Sequence, residues 1–305
     1  MNTRIAIIDI GTNTFNLLVV DRTFTDFKII YKERIGVGLG HKGINNSNIA
    51  PEAFKRGIET LIRYRKKCNE LNVSSICAIG TSAVRNACNK MDFIKSASED
   101  AQIQINVISG HDEAHYIYNG VKLGHYFDHD SLIMDIGGGS TEFIFASDEG
   151  IKSKVSFEIG VSRIYQLFDL PTQFDLSTVE LIESYLDEAT KGYFDEHFAS
   201  TLIGSSGSFK TFYEIFNNKR YPRNQYVNIG LDELKYTLNQ TTFSTKQDRD
   251  DNDFIIPIRK KMINIASVKT NWIINKLKIE NFVVSPYSLK EGLIFEDLQK
   301  FAFNA

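Results

Sequence analysis

Two stretches of this chain, AIIDIGTNTFNLLV at residues 6–19 and LIMDIGGGSTEFIF at residues 132–145, are nearly the same sequence. When they are aligned, Asp9 falls on Asp135 and Gly11 on Gly137. Each copy has an apolar run that ends in Asp, a small polar turn and a second apolar run, which is the pattern of a β-hairpin. The turn exposes backbone N–H groups that suit phosphate oxygens, beside a carboxylate that suits a hard metal ion.

The similarity continues beyond the hairpins. DFKIIYKERIG at residues 26–36 follows the first copy, and GIKSKVSFEIG at residues 150–160 follows the second. We interpret this order as duplication of a β-β-β unit followed by helices. The alternative is that two unrelated hydrophobic hairpins look alike. Duplication predicts two α/β domains, with the paired hairpins facing each other across a cleft.

Composition limits the class of protein. The chain has 305 residues, 42% of them hydrophobic, and a net charge of −3. This size is comfortable for two domains, and the charge argues against a general nucleic-acid coat. Three cysteines form no CxxC pair, and neither a signal-peptide pattern nor a membrane-length apolar run is present. We therefore expect a cytoplasmic protein that binds neither nucleic acid nor membrane.

Strand and helix patterns alternate after each meander, which predicts parallel additions to each sheet. Pro51 is expected to open a helix. Strands are expected at 74–80, 103–108, 201–203 and 282–285, and helices from Asp112-Glu113, over 175–198 and over 257–277. The charged segment 244–253, STKQDRDDND, is expected to be a poorly ordered loop.

Three turns at strand ends are candidate phosphate loops, because ligands bind at the carboxyl ends of strands in α/β sheets. They contain Asn13 and Thr14 in the first hairpin, then Gly137, Gly138, Gly139 and Ser140 in the second, and finally Ser206, Gly207 and Ser208. The third turn leads directly into a helix, whose free N–H groups favour an anion. A tight structural hairpin is the alternative for the second turn.

Acidic residues inside the apolar hairpin strands are the candidate metal ligands. Asp135 and Glu142 lie at the two ends of one hairpin, and Asp9 is the counterpart of Asp135 in the other. An acid without a function is costly in such a strand. Mg²⁺ or Mn²⁺ would be held by one or two carboxylates together with phosphate oxygens.

Glu113 and Arg85 are candidates for the catalytic centre. Glu113 stands near a helix start, where it either pairs with the helix dipole or acts as a general base for water. Arg85 follows a strand and is either a surface arginine or a fork for phosphate.

The motifs IAIIDIGTNTFNLLV, GTSAVRNA, ISGHDEAHYIYNGV, DIGGGSTEF, EIGVSR, GSSGS and LKEG occur in this order. The chain resembles the exopolyphosphatase / guanosine pentaphosphate phosphohydrolase (Ppx/GppA) family, in its short two-domain form. The resemblance implies two ribonuclease H-like domains of the actin-like ATPase superfamily, at 1–125 and 126–305, flanking a central cleft. It also implies hydrolysis of terminal phosphate from inorganic polyphosphate, or of the 5′ γ-phosphate of guanosine pentaphosphate, with Mg²⁺. A homodimer is compatible with it.

By the same resemblance, Glu113 matches the family's catalytic glutamate and Arg85 its phosphate-contacting arginine. Asp135 and Glu142 match the metal-linked acids, and the glycine-rich turns 137–140 and 206–208 match the phosphate loops. Some positions depart from the family pattern: Asp112, His115, Pro286, Lys290 and Lys261. These departures bear on substrate preference more than on hydrolysis.

Two other functions remain open from the sequence. A kinase of the same superfamily would share the hairpins, and a non-catalytic polyphosphate or alarmone sensor would explain the changed positions. Polyphosphate is favoured over a guanine nucleotide because a polyanion needs a run of cations. The candidate clusters are the helix with Arg56, Arg63, Lys66 and Lys67, the segment with Lys219, Arg220 and Arg223, and the triplet Arg259-Lys260-Lys261.

Overall fold

The computed structural model describes residues 3–23, 26–125, 127, 129–222 and 224–302, with side chains up to residue 296. Arg223, one of the candidate cations, lies outside the described residues. The chain divides into two compact units, residues 1–123 with 289–305, and residues 124–288. Within the described ranges, none of the helices combines the length and the apolar character needed to cross a membrane.

The first unit contains a five-stranded sheet in the order β3-β2-β1-β4-β5. Its elements are β1 (Thr3–Ile10), β2 (Thr14–Arg22), β3 (Phe27–Gly36), α1 (Pro51–Glu70), β4 (Ser75–Gly80), α2 (Ser82–Arg85), α3 (Lys90–Ala101), β5 (Ile105–Val107) and α4 (Gly110–Lys122). β1 pairs antiparallel with β2 and parallel with β4. The buried face of α1 covers the meander, and the Tyr64 hydroxyl donates to the Phe15 carbonyl over 2.9 Å.

The second unit contains a six-stranded sheet in the order β10-β11-β9-β6-β7-β8. Its elements are β6 (Ser131–Ile136), β7 (Thr141–Ser147), β8 (Gly150–Phe157), α5 (Val161–Leu167), α6 (Leu176–Ala189), β9 (Thr201–Gly204), α7 (Gly207–Asn217), β10 (Val227–Ile229), α8 (Leu231–Thr242), α9 (Lys246–Asp251), α10 (Ile263–Leu277) and β11 (Asn281–Val284). β6 pairs antiparallel with β7 and parallel with β9.

The predicted duplication is confirmed. Each unit begins with three antiparallel strands, and each then adds strands to the side of the first strand. The added strands are parallel as predicted, except that β10 pairs antiparallel with β11 at the edge of the second sheet. The two hairpin turns have the same geometry: Gly11 N donates to Thr14 O over 3.2 Å, and Gly137 N to Ser140 O over 3.1 Å. The predicted fold class of two ribonuclease H-like α/β domains is therefore correct.

The last helix, α11 (Leu289–Ala302), departs from the division at 1–125 and 126–305 expected from the sequence. It packs on α4 and β1 and belongs to the first unit. Its buried Ile294 joins Ile5 and Leu18 on the face of the sheet opposite α1. Gly292 permits the close approach, because a Cβ there would lie 1.7 Å from the Tyr116 carbonyl oxygen.

Several element boundaries differ from the sequence-based expectation. α4 begins at Gly110 rather than at Asp112, because the Ser109 hydroxyl accepts from Asp112 N and caps the helix. α6 ends at Ala189 rather than near residue 198. The segment predicted to be a charged loop is the helix α9, which begins with a capping box between Thr245 and Asp248.

Candidate functional site

The turn 137–140 is held by the segment that follows β8. Gly160, Val161 and Ser162 donate their backbone N–H groups to the carbonyls of Gly139, Gly137 and Gly138 over 3.0, 3.1 and 2.8 Å. Among the described residues, the N–H groups of Gly138, Gly139 and Ser140 have no hydrogen-bond partner. The loop's carbonyls are bound while these donors are left for a ligand, which is the arrangement of an anion-binding turn.

The second glycine-rich loop emerges beside the first. β9 lies parallel to β6, with Gly204 paired with Met134, and Ser205 N donates to Met134 O over 3.0 Å. Ser206 stands at the N-cap of α7, and its buried hydroxyl has no hydrogen-bond partner among the described residues. An unpaired hydroxyl at the start of an 11-residue helix suits an anionic ligand.

Arg259 lies against the same helix start. A Cβ on Gly207 would stand 1.7 Å from Arg259 Nη2, so the guanidinium lies directly against this glycine and would have to move for a larger residue. Arg259 also donates to Thr211 Oγ1 over 3.2 Å. A positive charge at a helix N-terminus opposes the helix dipole, and an anion bound there would interact favourably with both.

Asp135 and Glu142 face each other across the hairpin as register partners of β6 and β7. Asp135 Oδ2 accepts from Ser288 Oγ over 2.7 Å, and Glu142 Oε1 accepts from Ser156 Oγ over 2.7 Å. Glu142 is only 1% exposed. The structure thus brings both predicted metal-linked acids together beside the glycine-rich turn.

The first hairpin repeats this arrangement with different partners. The Asn13 carbonyl accepts from Val37 N and Gly38 N over 3.0 and 2.9 Å, so the chain after β3 holds this turn as well. Asp9 Oδ2 accepts from Asn16 Nδ2 over 3.0 Å, and Asn16 in turn accepts from Arg34. Asp9 therefore belongs to a polar chain along β1, β2 and β3.

Arg85 and Glu113 come together in the first unit. β4 and β5 are parallel neighbours, so α2 and α4 begin at the same edge of the sheet. Arg85 Nη1 donates to Glu113 Oε2 over 2.8 Å and to the Ile108 carbonyl over 3.3 Å. Glu113 is 7% exposed and sits in the first turn of α4. A buried carboxylate held by an arginine can orient water or a phosphoryl group.

Comparison with known proteins identifies the family of this chain. The model of the Ppx/GppA phosphatase family matches residues 18–301. The chain belongs to this family.

Individual relatives align with the chain over different lengths. An exopolyphosphatase of known structure from Cytophaga hutchinsonii is 32% identical, covers 98% of both chains and superposes with a TM-score of 0.93. A guanosine-5'-triphosphate,3'-diphosphate pyrophosphatase from Vibrio atlanticus is 26% identical over 97% of this chain. A bifunctional 3-dehydroquinate synthase/phosphatase from Fusobacterium nucleatum is 38% identical over 54% of it. The chain spans 59% of the length of the relative from Vibrio atlanticus. Its alignment with the relative from Fusobacterium nucleatum covers 26% of that protein's length.

Several basic residues that the sequence grouped into clusters for a polyanion instead bind nearby groups of this Ppx/GppA protein. On α1, Arg56 donates to the Val37 carbonyl, Arg63 pairs with Glu33, and Lys67 with Glu70. The three residues 259–261 also lie in different surroundings. Arg259 lies at α7, the Lys260 ammonium binds the Asp250 carbonyl, and Lys261 is exposed.

Sequence reasoning missed two side chains beside the glycine-rich loops, those of Arg259 and Ser288. It placed Arg259 in a cluster with Lys260 and Lys261, because nothing local in the sequence shows that the guanidinium lies against Gly207. It also noted Pro286 without anticipating that Ser288 would donate to Asp135. The segment 285–288 is fastened there because Ser285 Oγ and Ser205 Oγ both donate to the Tyr287 carbonyl, over 2.8 and 3.3 Å.

Proposed function

We propose that this protein hydrolyses terminal phosphoanhydride bonds and releases the end phosphate of linear inorganic polyphosphate. The observation that carries the proposal is the turn 137–140, where three backbone N–H groups are left for an anion next to Asp135. The N-terminus of α7 with Ser206 and Arg259 supplies a second set of donors in the same unit. Donors of this kind stabilise the equatorial oxygens of a transferring phosphoryl group.

Asp135 and Glu142 are the residues proposed to hold Mg²⁺ or Mn²⁺. No cluster of three or more His, Cys, Asp or Glu side chains suited to a metal is found among the described residues. Mg²⁺ does not require one, because one or two carboxylates with phosphate oxygens and water complete its shell. The pair therefore fits this ion, which when bound would neutralise charge on the phosphoryl group.

Glu113 is proposed as the group that orients water and takes its proton. Its backbone N–H donates to the Ser109 carbonyl over 2.9 Å, and its carboxylate is held by Arg85. The first contact fixes the backbone at the start of α4, and the second restricts the rotamers of a side chain that is already buried, which is what a positioned base needs.

Polyphosphate is the first choice of substrate because the relative from Cytophaga hutchinsonii, which matches the whole chain, is described as an exopolyphosphatase. Guanosine pentaphosphate is the second choice, on the strength of the Vibrio atlanticus relative. Both substrates present a terminal phosphoanhydride, so the proposed chemistry serves either.

A phosphate-release assay with long-chain polyphosphate, guanosine pentaphosphate and ATP side by side tests the proposal. We expect release in Mg²⁺ or Mn²⁺ with polyphosphate as the best substrate, and loss of release with excess chelator. Binding of these substrates without phosphate release over hours would show that the protein is a sensor and not an enzyme. Transfer of phosphate from ATP to a sugar or carboxylate would replace the hydrolase by a kinase.

Lys261 and Arg259 are expected to affect chain-length preference differently. Lys261 is exposed, so Lys261→Gln should lower kcat/KM for long polyphosphate about 2- to 5-fold and hardly change it for tripolyphosphate. This loss should shrink at high salt, because exposed charges are screened. Arg259→Lys should lower kcat/KM about tenfold for both lengths, because it removes a fork at the helix start.

The exposed Lys191→Gln, in the turn after α6, is the matched control and should change neither substrate. Equal losses for long and short chains with Lys261→Gln would show that this lysine is only a solvated surface charge.

A further inference from the structure

Lys269 is a fully buried lysine that the proposed mechanism does not use. It lies in the middle of α10 and has no exposed surface. Burial lowers its pKa to about 7, although the nearby Glu142 acts in the opposite direction. An amine in a helix that is otherwise packed into the core is costly unless its hydrogen bonds are made.

The Lys269 ammonium joins two segments of the chain. It donates to Thr141 Oγ1 over 2.5 Å and to the Ile159 carbonyl. Thr141 is the first residue of β7, directly after the glycine-rich turn. Ile159 directly precedes Gly160, the first of the residues whose N–H groups bind the carbonyls of that turn.

The two partners of Lys269 therefore lie where the chain leaves the turn 137–140 and where the supporting segment 160–162 begins. Thr141 pairs with Ile136 on one side and with Phe157 on the other, so these positions are already neighbours in the sheet. The hydrogen bonds of Lys269 connect Thr141 to Ile159, a connection that the backbone pairing of the strands does not make. We propose that Lys269 is a positioning residue, which sets the glycine-rich turn for phosphate binding by fastening Thr141 to Ile159.

The proposal rests on the proposed function of the turn, and it predicts that Lys269→Met lowers activity in a protein that remains folded. Methionine has a similar length and no charge to bury, but it leaves the Ile159 carbonyl and the buried Glu142 without the amine, so the melting temperature should fall by several degrees while the protein stays folded at the assay temperature. The kcat/KM for polyphosphate should fall about tenfold, because small displacements of a positioned site have effects of this size or larger.

A double-mutant cycle tests whether Lys269 affects activity through its hydrogen bond to Thr141. If Lys269 acts through Thr141, Lys269→Met with Thr141→Val should lose no more activity than the worse single variant. Thr270→Val is the matched control, because Thr270 is equally buried on α10 and donates only to the Ala266 carbonyl of its own helix. It should lower stability without changing kcat/KM.

Calorimetric titration with inorganic tripolyphosphate keeps this test independent of turnover. A folded Lys269→Met protein that binds tripolyphosphate about tenfold more weakly supports the positioning role, even if the wild-type protein hydrolyses nothing and the proposed function fails. A folded variant with unchanged binding and turnover overturns the role, and so does full additivity with Thr141→Val. If Lys269→Met does not fold, Thr141→Val alone decides, with weaker binding expected.

Discussion

Replacing Glu113 by glutamine is expected to lower turnover by about 10²- to 10⁴-fold, the range for loss of a general base. Glutamine keeps the shape and an acceptor oxygen for Arg85 Nη1, which now lies 2.8 Å from Glu113 Oε2. The fold and the binding of tripolyphosphate should therefore change little. Phosphate release under saturating substrate measures the first effect, and circular dichroism with calorimetry measures the others.

Asp112→Asn is the matched control for Glu113→Gln. Asp112 is the adjacent acid in the first turn of α4, but it is exposed and its carboxylate accepts from Ser109 Oγ over 2.7 Å. Its replacement should change turnover less than about threefold, as is usual for a surface site.

The pH profile separates two roles for Glu113. If the residue only orients Arg85, glutamine should support near-normal turnover and leave the acidic limb of the kcat profile in place. If it is the base, turnover falls and that limb disappears. Normal turnover in Glu113→Gln would remove the residue from the proposed mechanism.

The hairpins could be predicted because local sequence determines them. An apolar run ending in Asp, a turn of small residues and a second apolar run specify strand, turn and strand without distant partners. The meeting of Arg85 and Glu113 was also within reach. Each follows a strand of the predicted parallel set, and helices after neighbouring parallel strands begin at the same edge.

The helix α9 was predicted to be a loop because its charged composition was given more weight than the local capping box of Thr245 and Asp248, and because its bond to Thr172 is distant in sequence. The composition of STKQDRDDND is that of a solvated segment, yet Arg249 is only 4% exposed. Its guanidinium donates to the carbonyls of Ser244, Thr172 and Lys260. Nothing local in the sequence indicates a buried arginine that ties three segments together.

Lys269 could not have been singled out for a similar reason. In the sequence it is one lysine in a long helix, where a solvent-exposed position is the usual expectation. Its partner Thr141 is 128 residues away. It becomes a candidate for positioning the turn only because α10 packs against β7 and brings the amine to Thr141.

Gly160→Ala is expected to have the largest effect on stability and activity together. Gly160 has an ordinary extended conformation, with φ −63° and ψ 159°, so an alanine there is not strained by its backbone. The obstacle is space. Its Cβ would lie 2.3 Å from Gly138 C and O and 2.4 Å from Gly139 C, and backbone atoms cannot rotate away as a side chain can.

The collision must separate the supporting segment from the turn 137–140. Three hydrogen bonds join them, from Gly160, Val161 and Ser162, and each contributes about 1 kcal/mol. With the cost of overpacking, the free energy of unfolding should fall by roughly 2–5 kcal/mol. Turnover of the folded fraction should fall at least about 100-fold, since the N–H groups of the turn lose their positions. Urea denaturation and phosphate release measure the two effects.

Two further variants show whether the collision at the turn, rather than any change at a glycine, is responsible. Gly192→Ala forces an alanine to φ +80° with nothing within 4 Å of its Cβ, so it should cost about 1–2 kcal/mol and leave turnover unchanged. Val161→Pro removes one donor to Gly137 at the first position of α5, where proline is otherwise tolerated, and should have an intermediate effect on turnover. Because the strain at Gly192 lies outside the turn, a loss of turnover there equal to that of Gly160→Ala would show that general destabilisation is enough. Normal turnover in Gly160→Ala would show that the contact between residues 160–162 and the turn is not needed to hold phosphate.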